Sequence, residues 1–283
     1  MLFFHPVEKR LTNPQPKDRT VAIGSLGAIG RVVAARLDAG IPGLQLAAVS
    51  ARNVARAQAT VAAYRRPVPV VPARELAEHA DIVVECAPSE AFAEIVEPAL
   101  RKGRTVLVIS VGALLSHPGA EALAARHGGR IIVPTGALLG LDAVRAAAEG
   151  EIRSVTMVTR KPPKGLEGAP HLVTNNISVQ GLTAPLKVFE GSAREAVKGF
   201  PANVNVAAAL SLAGIGPDRT TIEVWADPAA TRNMHSITVV ADSAEFTMSI
   251  ANVPSENPKT GKITALSIVA ALRRLVSPLS IGT

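Results

Sequence analysis

Thr20-Val21-Ala22-Ile23-Gly24-Ser25-Leu26-Gly27-Ala28-Ile29-Gly30 decides how the first half of this chain is read. Residues 20–23 are a short apolar run of strand type, and 29–39 carry apolar side chains at helical spacing. Between them lies a glycine-rich turn. Glycines let a phosphate approach the backbone closely, and the helix that follows offers free N–H groups at its start. Aligned on Gly27 and Gly30, a G-x-G-x-x-G pattern would have its first glycine where Ser25 stands, with Gly24 one place earlier. The motif is imperfect, but a strand directly before it and a helix directly after it make a dinucleotide site the reading with most support. Gly24, Ser25, Leu26, Gly27, Ala28 and Ile29 are its candidate contacts.

Outward from this turn, strands are expected at 44–50, 68–71, 81–85, 105–110 and 130–133. Helices are expected between them at 54–64, 73–79, 89–102 and 119–127, the third interrupted or restarted at Pro98 and the last closed by Gly128-Gly129. Strands alternating with helices at this spacing predict an α/β fold, a Rossmann doubly wound parallel sheet. Ala87, just past the fourth strand, joins the candidate cofactor contacts.

The rhythm changes after Gly140. A helix to 149 is followed by strands at 152–159, 186–190, 221–226, 236–240 and 246–251, interrupted by two helices. One opens with the capping-box pattern Ser192-Ala193-Arg194-Glu195, and the other runs over 203–213 to Gly214. This predicts an α+β domain with a mostly antiparallel sheet, one face covered by helices. The segment 262–276 reads as an amphipathic helix that can return to the first domain. The expected organisation is an arm over 1–18, a nucleotide domain over 19–137 plus 254–283, and a catalytic and dimerisation domain over 138–253.

The formal net charge is +7, yet the basic residues are scattered, and one Tyr and one Trp are all there is for base stacking besides six Phe. That argues against a nucleic-acid partner, whose footprint is a clustered basic stripe. A single cysteine, Cys86, allows no internal disulfide and fits a reducing compartment. The first residues lack the charge pattern of a signal peptide, and the longest apolar stretch, 131–148, is broken by Pro134, Gly136, Asp142 and Arg145. The expectation is a cytoplasmic protein with no membrane partner and no metal site.

The end of the second strand selects the cofactor. An acid there binds the ribose 2′-hydroxyl of NAD, whereas an arginine accommodates the 2′-phosphate of NADP. The chain has Ser50-Ala51-Arg52-Asn53 with Arg56 beyond, and no acid between Asp38 and Glu75. NADP is therefore expected to be tolerated or preferred over NAD.

Of six histidines, His79 and His127 fall near helix ends, His117 in a loop and His5 in the arm, which leaves His171 and His235 for proton transfer. His235 enters a strand from the polar loop 227–234, a placement that can serve acid–base chemistry or a structural role.

The stretch 200–214 (FPANVNVAAALSLAG), Arg160-Lys161-Pro162-Pro163, the segment from Asp227-Pro228 to His235, and Asn252 with 254–260 closely resemble the L-aspartate dehydrogenase family. The closing Leu272-Arg273-Arg274-Leu275 is similar too, and the resemblance spans nearly the whole chain beyond residue 18. It implies a homodimeric enzyme that oxidises L-aspartate with NAD(P)⁺ to iminoaspartate, which yields oxaloacetate and ammonia or feeds NAD biosynthesis. It also implies His235 as the catalytic residue, with cofactor contacts at Ala137 and Asn203. Lys161, Lys164, Arg232 and Lys259 are candidate donors to the substrate carboxylates, and Asn233 and Asn252 candidate amide donors. The chain departs from the family at Ser25 and in lacking an acid over 50–53. A homoserine dehydrogenase, a dihydrodipicolinate reductase or a non-catalytic NADPH sensor are the alternatives. The segments 201–214 and 233–235 speak against the first two, and His235 with its polar loop speaks against the third.

Overall fold

The structure, a computed structural model, describes residues 18–201, 205–256 and 261–282 of the 283-residue chain. The first half builds β1 (Arg19–Gly24), α1 (Ala28–Asp38), β2 (Leu44–Ser50), α2 (Val54–Ala62), α3 (Leu76–His79), β3 (Ile82–Glu85), α4 (Phe92–Arg101), β4 (Thr105–Val108), α5 (Val111–Leu115), α6 (Gly119–His127) and β5 (Arg130–Ile132). The strands form one parallel sheet of order β2-β1-β3-β4-β5. Val21, Ala22, Ile23, Ile82, Val83 and Val84 are wholly buried, as they must be in a sheet with helices on both faces.

Two expectations are corrected. Residues 68–71 do not make a strand. They contribute one parallel bridge, Val49 to Val70, held by Val49 N donating to Pro69 O and Val71 N donating to Val49 O. Pro67, Pro69 and Pro72 remove the donors a longer ladder would need. The sheet therefore has five strands, not six. Nor is α4 interrupted or restarted at Pro98. An interior proline costs a helix about 3 kcal/mol. Here Phe92, Ile95 and Val96 before it and Ala99 and Leu100 after it are all buried on one face. At roughly 1.5–3 kcal/mol for each large apolar side chain, that burial outweighs the break. The short α5 was not expected, since its uniformly apolar sequence has no periodicity to reveal it.

The second half continues with α7 (Leu141–Ala147), β6 (Ile152–Lys161), α8 (Pro170–Thr174), β7 (Leu186–Ser192), α9 (Ala193–Gly199), α10 (Asn205–Ala213), β8 (Thr220–Ala226), β9 (Met234–Ala241), β10 (Glu245–Ala251) and α11 (Lys262–Arg274). Its sheet runs β10-β9-β6-β8-β7, antiparallel except for the β6–β8 pair. The Ser192–Glu195 capping box is formed. Val155 and Met157 of β6 and Ile237 and Val239 of β9 share a core with Val144 of α7, Ala196 of α9 and Leu210 of α10, so the helices cover one face. Ala265, Ile268, Val269 and Leu272 of α11 pack with Val33, Ala34 and Leu37 of α1, which returns the chain's end to the first sheet. No described helix is long and apolar enough to cross a membrane.

Candidate active site

The turn after β1 is made of backbone. Gly30 has no room for a side chain, since a Cβ there would meet Ser25 O at 1.8 Å. Gly27 caps α1 without a side-chain hydrogen bond, and the first turn of the helix holds no acid. Its N–H groups thus stay open to an anion, and the residues present fit a pyrophosphate. Ser25 adopts φ +102°, the conformation for which glycine is usually kept. Cys86 lies beneath, its Sγ 3.5 Å from Ser25 O. At the end of β2, Ser50 is buried, Asn53 caps α2 by accepting from Arg56 N at 2.9 Å, and Arg52 and Arg56 are exposed.

A buried carboxylate joins the neighbouring strand ends. Glu85, closing β3, accepts from Ala87 N at 3.0 Å, Ile109 N at 3.1 Å, Ser110 N at 2.9 Å and Ser110 Oγ at 2.9 Å. Burial raises its pKa, and these hydrogen bonds oppose the rise. Ala87 is thereby tied at its N–H to Glu85 and at its carbonyl to Ser110 Oγ. Sequence reading missed this latch, although an acid closing an apolar strand was visible.

Across the cleft, alternation along β6 and β9 places the chemistry. Residues 155, 157, 159 and 161 point to one face, and the first two are core Val and Met. Thr159 and Lys161 occupy the same row yet are polar, 1 % and 2 % exposed. His235 sits opposite Thr159 in the β6–β9 register, is 4 % exposed, and places Nδ1 3.1 Å from Thr159 Oγ1. Its pKa is pushed down to about 3, first by burial and second by the charge of Lys161. The imidazole is therefore neutral at physiological pH. The loop leading to His235 is anchored by Asp227, whose N–H donates to Lys161 O at 2.8 Å and whose carboxylate accepts from Ala229 N at 3.0 Å.

Lys161 and His235 line a cleft with Ile109, Ala137, Asn233 and Asn252. The loop 134–137 after β5 forms its floor and is held from outside. Gly136 N donates to Ser267 Oγ at 3.1 Å, and Ala137 O accepts from Asn252 Nδ2 at 2.9 Å. One of the two N–H donors of the Asn252 amide is thus spent on Ala137 O. Asn233 meets Asn252 through its backbone carbonyl, accepting at 2.8 Å. Asn203 and Lys259 lie outside the described residues.

The remaining candidates stay away from this cleft. Lys164 and Arg232 are exposed, as are His79 and His127. His171 packs on Phe189 and Phe200, at 5.1 and 5.4 Å between ring centroids. His117 stacks on Phe92. Among the described candidates for carboxylate donors, burial in the cleft singles out Lys161. Thr159, Thr264 and Ser267, which the sequence reading did not name, belong to the same surroundings.

Known proteins resemble this chain over most of its length. A family model described as aspartate dehydrogenase, C-terminal, matches residues 142–275, and one described as homoserine dehydrogenase, NAD binding domain, matches 26–134. The chain is 60 % identical over 263 residues to an L-aspartate dehydrogenase of Bradyrhizobium diazoefficiens, covering 93 % of this chain and 94 % of that protein. It is 57 % identical over 264 residues to L-aspartate dehydrogenase 3 of Bordetella bronchiseptica, covering 93 % and 97 %. The crystal structure of aspartate dehydrogenase from Thermotoga maritima matches with a TM-score of 0.69 at 25 % identity, over 93 % of this chain and 99 % of that one.

Proposed function

We infer the activity from one premise: this chain belongs to the L-aspartate dehydrogenase family. It is an NAD(P)-dependent oxidoreductase that acts on the CH–NH2 group of L-aspartate, reversibly giving iminoaspartate and then oxaloacetate and ammonia. The observation that carries the residue assignment is a neutral, buried His235 beside Lys161 in the cleft.

The bound nicotinamide supplies the hydride acceptor. The protein must hold the substrate and move its protons. Lys161 is placed to bind a substrate carboxylate, and doing so offsets the charge that helps depress the pKa of His235. Substrate binding thereby raises the proton affinity of the imidazole as it is needed. In the tautomer whose Nδ1–H donates to Thr159 Oγ1, Nε2 carries the lone pair that takes the amine proton as Cα loses hydride. The same nitrogen then serves the water that attacks the imine carbon and returns a proton to the departing ammonia.

Arg52 and Arg56, exposed at the end of β2 with no acid beside them, support NADP over NAD. Homodimerisation belongs to the same reading and is supported by β10, an edge strand with every residue at least partly exposed. A cytoplasmic place, feeding NAD biosynthesis, is supported by the lone cysteine and by the family. The test is His235→Ala. Turnover is expected to fall about 10²- to 10⁴-fold while NADPH binds as in the parent. Turnover near the parent rate would remove His235 from the mechanism.

A further inference from the structure

Two residues that line the cleft each hold a buried oxygen without a hydrogen-bond partner, Asn252 Oδ1 and Thr264 Oγ1. Asn252 is 3 % and Thr264 4 % exposed. The orientation of the Asn252 amide is fixed, because its nitrogen donates to Ala137 O, and a carbonyl can only accept. Beside the amide's second N–H, what is left unpaired is an acceptor. Gly261 leaves the space this oxygen occupies, since a Cβ there would stand 2.7 Å from Oδ1. Thr264 lies in the first turn of α11, and its carbonyl already accepts from Ser267 Oγ at 2.8 Å. Its hydroxyl makes no hydrogen bond to that backbone. A buried polar group left unpaired costs on the order of 1–3 kcal/mol, so two of them in one cleft signal partners that arrive from outside.

We propose that Asn252 and Thr264 form a two-point subsite for a ligand group that pairs an N–H donor with a nearby oxygen acceptor. Asn252 Oδ1 accepts from the nitrogen, and the Thr264 hydroxyl donates to the oxygen. The dehydrogenase reading, on which the ligand's identity rests, offers two sources of this chemistry. One is the nicotinamide carboxamide, and the other is the α-amino and α-carboxylate pair of the amino acid. Neither donor nor acceptor takes part in proton transfer, so both are positioning groups.

Thr264→Val tests the subsite, with Thr264→Ser as the variant that restores the hydroxyl. Valine replaces an unpaired buried hydroxyl by a methyl of like shape. The ligand-free melting temperature is accordingly expected to stay level or rise. Titrations of NADPH into the protein, and of L-aspartate into the NADPH-saturated protein, are run calorimetrically, a combination that cannot react. One of the two affinities is expected to weaken on the order of 3- to 10-fold in the valine variant and to recover in the serine variant. Loss on NADPH identifies the carboxamide, and loss on L-aspartate alone identifies the amino acid. If both affinities stay within about twofold, or the valine variant melts several degrees lower without ligand, the subsite is overturned. Failure of the parent to bind L-aspartate at all would instead count against the substrate assignment, while the NADPH arm still decides the subsite.

Discussion

The glycine turn after β1 and the polar cluster at the cleft ends of β6 and β9 are built on opposite plans. The turn works through main-chain N–H groups at the start of α1 and places no acid or cap there. It tolerates Ser25 where glycine is expected, at the expense of a φ of +102°. The cluster works through side chains, Thr159, Lys161 and His235, each less than a twentieth exposed. Burial there sets the protonation state, so no neighbour can be exchanged without changing the chemistry. The backbone site accepts a serine at position 25 but no side chain at Gly30, whereas the buried cluster depends on every side chain in it.

Lys161→Met should widen that contrast most after the loss of His235 itself. Removing a charge-assisted contact to a carboxylate, worth about 1.5–3 kcal/mol, should lower kcat/KM for L-aspartate by about 10- to 100-fold. It also has a pH signature. Lys161 lowers the pKa of His235, so its removal raises it, though burial, the larger cause, still holds it below the ordinary value. Oxidation needs the neutral imidazole, and the acid limb of its pH–rate profile should therefore move to higher pH. An unmoved limb would mean that Lys161 does not act on His235.

On the turn side, Arg52→Asp should weaken NADPH binding about tenfold and spare NADH, because one exposed charge-assisted contact is lost and an acid now meets the 2′-phosphate. Equal NADPH affinity in parent and variant would sink the assignment of Arg52. The smallest effect is expected at Ser25→Gly. Relief of an unfavourable φ, less the added freedom of an unfolded glycine, should stabilise the ligand-free protein by about 1 kcal/mol and raise its melting temperature by about 2–4 °C. Destabilisation would show that the serine is not strained there.

The same contrast explains what could be read from sequence. The turn, α1 and β2 follow from local patterns, and their limits were legible almost residue by residue. The misreadings came where local and tertiary preferences disagree. Prolines at 67, 69 and 72 reduced an apolar run to one bridge, and burial on both sides of Pro98 carried α4 through it. In the cleft, His235 entered through family resemblance, while Lys161 could not be told from Lys164 or Arg232 without burial. A signal was present, since Thr159 and Lys161 extend the row of Val155 and Met157, and polar residues in a core row need a reason. That the Asn252 amide is turned with its nitrogen towards Ala137 could not be read at all, because it depends on a carbonyl 115 residues away.

Run in reverse, the proposed reaction joins ammonia to the carbonyl of a four-carbon dicarboxylate. Its most direct test is the loss of nicotinamide absorbance when the purified protein meets NADPH or NADH, oxaloacetate and ammonia, with other 2-oxo acids in parallel. The account predicts oxidation that requires both oxaloacetate and ammonia and is far slower with pyruvate or 2-oxoglutarate. A protein that binds NADPH yet shows no such oxidation, or that uses the other 2-oxo acids equally well, would contradict it.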